Sequence, residues 1–209
     1  VTGTITSDDT TLAAYNNTSA ITGNAVDVFI YDTSNDSDGG AWRKRTQATS
    51  WYNETLNTAT RGSRKEFPSV AVIVLLSGTI TIYDGDTPDL DMWMVLNQGG
   101  VSWTGAMLLL FSASRPGTSI AALNGSVCMG NTSANDLESG LHRISFTDDS
   151  TIFYSSGYHH KRPQNIADRD LILPRPVITG PYSIINGSVH DIAMTVLPNA
   201  PIDSTTGLP

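Results

Sequence analysis

Short apolar runs broken by turn dipeptides constrain this chain more than any other feature. Val70 to Leu76 and residues 79–83 flank Ser77-Gly78, a two-residue hairpin signal, and Asn-Gly or Gly-Gly pairs recur at 39–40, 99–100, 124–125 and 186–187. Glycine accepts positive φ at little cost, so these pairs supply the turn chemistry of an antiparallel meander. The same reading predicts strands over 25–31, 92–96, 106–111, 119–123, 126–129, 141–146, 151–154 and 188–196. Helical periodicity is nearly absent, and its best candidate, 53–60, is short and poor in strong helix formers. The expected fold class is all-β, with antiparallel sheets and hairpin repeats, arranged as β-propeller-like blades or as a β-sandwich. Two weak internal echoes keep blades in play: SIAALNGSV at 119–127 against YSIINGSV at 182–189, and FIYD at 29–32 against TIYD at 81–84.

A chain of 209 residues can bury a sizeable core as one domain or two closely packed ones. The patterning suggests an N-terminal arm at 1–24 and a β-rich domain at 25–197 that divides into sub-modules 25–115 and 116–197. A Pro-, Ser- and Thr-rich linker or arm follows at 198–209. A net charge of −8 argues against nucleic-acid binding. The longest apolar runs, 70–76 and 106–111, are too short to cross a bilayer, so no membrane insertion is expected. Cys128 is the one cysteine and alternates with apolar neighbours, which reads as a buried, structural thiol.

Residues 41–74 break this pattern. Six of the twelve basic side chains, Arg43, Lys44, Arg45, Arg61, Arg64 and Lys65, fall between 41 and 65 against one acid, Glu54. Trp42, Trp51 and Tyr52 are interleaved with them, and the block runs through Phe67-Pro68 into an apolar strand. Read as a surface, these nine residues form an assembly contact. The aromatics would be desolvated anchors, and the charges would set register against an acidic stretch such as 84–91 of a neighbouring copy. The plainer alternative is a solvated connection that caps a sheet.

Three stretches carry a likeness: DVFIYDTSNDSDGG at 27–40, the block just described, and TITIYDGD with MWMV at 79–86 and 92–95. Together they resemble tail-associated, β-rich structural proteins of marine and freshwater bacteriophages. The likeness covers roughly 26–130 and returns more loosely at PIDSTTGLP, 201–209. It implies a virion structural role and brings no catalytic motif. Members of that group are usually much longer, so the chain is expected to be a whole protein or one ordered piece of one.

Chemistry is sparse at the level of motifs. No G-x-S-x-G, P-loop, H-E-x-x-H or C-x-x-C occurs, so catalytic, cofactor and metal sites are all expected to be lacking. His159 and His160 would point to opposite faces of a strand, while His142 and His190 are isolated. Asp84/Asp86 and Asp89/Asp91 sit beside turn residues, where aspartate caps backbone amides more often than it binds calcium or hydrolyses glycosides. The oxygen-rich loop 32–40 departs from EF-hand spacing.

Seven asparagines stand in N-x-S/T sequence: Asn16, Asn17, Asn35, Asn53, Asn124, Asn131 and Asn186. They support the rival expectation of a glycosylated extracellular or cell-surface filament subunit that polymerises by strand addition. A third expectation is a carbohydrate- or receptor-binding module using Trp93, Trp103 and Tyr158. The leading one is a non-enzymatic subunit of a phage tail or fibre. Its partners would be copies of itself, other virion or fibre proteins and host-surface glycan.

Overall fold

A computed structural model describes residues 24–76, 79–97, 107–108, 117–132, 140–155, 158–161, 165–169, 173–174, 184 and 187–209. The chain is all-β with antiparallel sheets. Its strands are β1 (Asp27–Asp32), β2 (Val70–Leu76), β3 (Thr79–Asp84), β4 (Met92–Asn97), β5 (Met107–Leu108), β6 (Gly117–Leu123), β7 (Ser126–Asn131), β8 (Leu141–Ser145), β9 (Ser150–Ser155), β10 (Tyr158–Lys161) and β11 (Leu173–Pro174). The first sheet has the order β1-β2-β3-β4, the second β10-β9-β8-β7-β6, and β5 pairs with β11. The only helical segments among the described residues are four short 3-10 turns.

The two larger sheets share one core. Ala71, Ile73, Leu75, Ile80, Ile82, Met94 and Leu96 from the first meet Ile120, Ala122, Val127, Met129 and Ile144 from the second. Sheets closing over a common interior resolve the architecture toward a face-to-face pair and away from radial blades. The two sheets draw their strands from 27–97 and 117–161, their interior is joint, and the pairing of β5 with β11 crosses between the halves expected at 25–115 and 116–197. β2 is apolar throughout because both its faces are covered. Its alternate residues Val72 and Val74 are buried in a second, smaller cluster with Leu90.

The β6–β7 hairpin closes as its Asn-Gly pair predicts. Leu123 pairs with Ser126, and Asn124 and Gly125 both take positive φ, 51° and 69°. The β2–β3 pairing is the hairpin expected around Ser77-Gly78, with Leu76 opposite Thr79, although those two turn residues lie outside the described ones. So do the N-terminal arm up to residue 23 and most of the strand expected at 106–111.

Two expectations need correction, and the weak helical candidate is not realised. Residues 53–60 do not form a helix: one 3-10 turn covers Trp51–Asn53, and the chain then bends toward β4. Residues 188–196 join no ladder; Val189 donates its amide to the Asn131 carbonyl, and Asp191 then accepts the Ser119 hydroxyl. Strand propensity is present there without an edge at the right register.

The tail at 198–209 is not a free arm either. It turns back so that Leu208 is buried at 3% exposure in the main core, and Gly207 donates its amide to the Asp203 carbonyl. A buried leucine removed from such a contact costs about 2–4 kcal/mol. Leu208→Ala should therefore lower the unfolding free energy by about that amount in a urea titration. An unchanged midpoint would show that the tail is not anchored.

Candidate functional site

Residues 41–65, within the connection from β1 to β2, were expected to present a contact surface; the structure turns most of their chemistry inward. Trp42 and Trp51 are 1% and 0% exposed, and with Phe67, Trp93 and Phe146 they form a continuous ring cluster. Phe67 lies 4.8 Å from Trp93 and 5.0 Å from Phe146, and Trp51 meets Phe146 edge-on at 5.6 Å and 87°. Pairs of this geometry add about 0.5–1.5 kcal/mol each beyond their buried area. Every indole N–H in the cluster has an acceptor: Trp42 bonds Asp36 at 2.6 Å, Trp51 the Phe146 carbonyl at 2.9 Å, and Trp93 the Glu66 carbonyl at 3.0 Å. Trp42 and Trp51 are thus intramolecular and have no ring surface to offer another subunit. Trp93, 1% exposed, cannot serve as an exposed receptor-binding ring. Trp103 and the Tyr158 side chain lie outside the described residues.

The basic groups follow the same rule. Arg61 is 1% exposed, its guanidinium 4.3 Å from the Trp93 ring centre and its Nε 3.3 Å from Glu54. Arg169, 2% exposed, pairs with the other Glu54 oxygen. Two guanidinium groups on one carboxylate leave a buried surplus of positive charge, and backbone carbonyls absorb it. Arg61 donates to those of Trp93 and Lys65, and Arg169 to those of Val95, Ile166 and Thr60. Burial pulls the Arg61 pKa down to about 10; Glu54 opposes that shift and Arg169 adds to it. The group stays charged at neutral pH.

This triad fixes a short segment against the edge of the first sheet. Gly62 donates to the Trp93 carbonyl and Val95 to that of Thr60, both at 2.9 Å, so residues 60–62 cover the outer side of β4. A Cβ on Gly62 would stand 2.0 Å from the Met92 carbonyl oxygen, which is why a glycine occupies the crossing.

Arg64 reaches Asp84 at 3.0 Å and Asp86 at 2.6 Å. The expected attraction between the basic block and the 84–91 acids therefore exists, but within one chain. Asp86 also accepts the amides of Ser69 and Val70. Burial alone would raise its pKa; the Ser69 amide, Arg64 and the Val70 amide outweigh that and hold it below the ordinary value of 3.8. Arg43 bonds the Phe67 carbonyl at 2.9 Å, and Arg45 bonds Asp38 at 2.5 Å and the Thr206 carbonyl at 2.8 Å. Tyr52 packs against the core rim, with the Lys65 ammonium 5.8 Å from its ring. Lys44, Arg45 and Lys65 are the exposed members of the set.

The 32–40 loop spends its oxygens on protein donors. Asp32 accepts the Ser34 amide and Asp38 that of Gly40. Asp36, 6% exposed, accepts the Tyr31 hydroxyl, the Trp42 indole and the Asn124 amide, each at 2.6 Å. The Tyr31 oxygen in turn accepts the Gly125 amide at 2.7 Å. This node ties the loop to the β6–β7 turn, and no metal-ligating group of three or more acids, histidines or cysteines occurs among the described residues. Burial pushes the Cys128 thiol up to about 11, as suits a structural cysteine.

The described glycosylation candidates differ in access. Asn35 and Asn53 are exposed, although Asn53 donates to the carbonyls of Gln47 and Thr49. Asn131 is 2% exposed and accepts the Gly140 amide, so it is corrected to a structural residue. Asn124 holds Ser37 through both ends of its amide. Asn16, Asn17 and Asn186 lie outside the described residues. No motif signalled a cleft beside Arg143 and Asp148, whose lining is drawn from distant parts of the chain. No helix among the described residues is long and apolar enough to cross a membrane. No protein-family model, curated protein or solved structure matches the chain.

Breaking a buried ion pair by removing one partner costs about 3–5 kcal/mol, against about 0.5 kcal/mol or less for a surface change. Glu54→Gln should therefore destabilise the fold at least several-fold more than Lys44→Ala in parallel denaturant titrations; equal effects would remove the triad from its structural role. Asp86 adds a pH signature. With its folded pKa lowered, its stabilisation is complete above the unfolded value of 3.8 and is lost as pH falls through the depressed value. The stability gap between parent and Asp86→Asn should therefore be constant at neutral pH and close in acid. A gap that widens in acid contradicts the assignment.

Proposed function

We propose that the chain is a non-enzymatic structural subunit of a virion tail or fibre-like assembly, acting through repeated protein–protein contacts. One observation carries this reading. Among the described residues, the large hydrophobic side chains that stay exposed fall in two places: Val26 and Ile30, 44% and 47% exposed, at β1, and Val196, Leu197 and Ile202, 38%, 69% and 62% exposed, in the C-terminal segment. Two unlike apolar surfaces on one chain suit a head-to-tail contact that repeats from subunit to subunit. Residues 188–196, which belong to no ladder, add a segment to which a neighbour's strand would pair. Lys44 and Lys65 remain available as a charged rim. The virion setting is supported by the likeness carried at 27–40, 41–74, 79–86 and 92–95.

A second reading, a glycosylated extracellular filament subunit, is favoured by the exposure of Asn35 and Asn53. Light scattering should give the parent a mass of several chains, and Leu197→Asp or Ile30→Asp should reduce it with circular dichroism unchanged. A monomeric parent defeats both readings. Intact mass spectrometry then separates them: a chain of 22.3 kDa without hexose increments fits the virion subunit, and glycan on Asn35 or Asn53 fits the filament.

A further inference from the structure

A cleft of about 540 Å³ opens between the β6–β7 hairpin, the end of β8 with its following turn, and the C-terminal segment. Its size lies within the range of about 300–1,000 Å³ typical of small-molecule sites. We propose that it binds a neutral saccharide. This goes beyond an assembly role; Val196 and Leu197 also line the cleft, so a neighbour seated on them would share its rim.

The chemistry of the walls carries the assignment. Arg143 donates through Nε to Ser126 Oγ at 3.2 Å and keeps Nη2 3.6 Å from Asp148, which fixes the guanidinium plane while leaving most of its donors uncommitted among the described residues. Arg143 and Asp148 are 35% and 37% exposed, open enough to exchange water for a ligand. On the facing wall Asp203 binds the amides of Thr205 and Thr206 through one oxygen, Oδ1. The Thr195 hydroxyl and the aliphatic surfaces of Leu123 and Met194 complete the lining.

One guanidinium against two carboxylates, on a chain of net charge −8, disfavours an anionic ligand. An apolar ligand would desolvate three charged groups without replacing their hydrogen bonds. A sugar ring meets both demands. Its hydroxyls donate to carboxylate and accept from guanidinium, and its C–H face lies on aliphatic side chains. The half-exposed walls imply millimolar affinity for a single unit, which repetition in an assembly would raise.

Saturation-transfer NMR on the intact chain tests this, with maltose, cellobiose and lactose as probes and glucuronic acid as the anionic control. Transfer to the ring C–H protons of at least one neutral probe is expected. Asp148→Asn, a half-exposed turn position, should weaken it roughly tenfold, the loss of a charge-assisted hydrogen bond. Thr195→Val on the facing wall should also weaken it, which keeps the test informative if Asp148→Asn misfolds. Silence from all three neutral sugars, stronger transfer to glucuronic acid, or equal transfer in parent and both variants overturns the proposal. Asp148 and Thr195 are not the positions that test the assembly, so the two readings fail separately.

Discussion

The buried meeting of Arg61, Glu54 and Arg169 beside the Trp93 ring is the contact on which the rest of the structure depends. A connection as long as 33–69 would ordinarily run over the surface, because buried irregular backbone has no ladder to satisfy its polar groups. Here guanidinium groups take the place of the ladder. Arg61 and Arg169 cap the carbonyls of Lys65, Trp93, Thr60, Val95 and Ile166, and Arg43 caps that of Phe67. With those acceptors satisfied, Trp42, Trp51 and Phe67 can be driven into the joint interior of the two sheets. An isolated buried ion pair seldom adds net stability. This one makes burial of the aromatic connection affordable, and the rings return far more apolar area than the ions cost.

The same division explains what could be read from the sequence. Strands β1, β2, β3, β4, β6, β7, β8 and β9 follow from local patterning and lie within about two residues of their expected positions, because period and turn chemistry are local properties. The Asn124-Gly125 turn is the clearest case: two residues dictate a positive-φ hairpin whatever surrounds them. The role of the basic block was not legible, because it depends on partners far along the chain. Arg64 and Asp84 are twenty residues apart, and Arg169 meets Glu54 across one hundred and fifteen. Composition shows that charges of opposite sign exist, but whether they meet within one chain or between two is set by the tertiary path. Trp42, beside Arg43, looks exposed for the same reason, since flanking polarity reports on backbone neighbours and not on the direction of the ring.

Residues 188–196 illustrate the converse error. Alternation and β-branched side chains predicted a strand, and the segment belongs to none. What is missing is a run of backbone pairing in register: Val189 bonds Asn131, and beyond it the segment is held through side chains, such as Ser119 to Asp191 at 2.9 Å. Propensity describes what a segment tolerates, whereas pairing requires a vacant partner in register.

That segment also decides what kind of assembly the fold can support. Leu197 is 69% exposed while Leu208, eleven residues on, is 3% exposed, so the tail is held at its end and presents its apolar middle outward. A neighbour that added to this middle from outside would bury Val196 and Leu197 without disturbing the core. A neighbour that displaced the tail and took its place would have to extract Leu208 and break the Arg45 bond to the Thr206 carbonyl. Extraction costs a few kcal/mol before any new contact forms, on the order of a thousandfold in population. If the chain assembles as proposed, accretion onto the exposed apolar middle is therefore favoured over exchange of the terminal segment, and the folded core would be the same alone and in company.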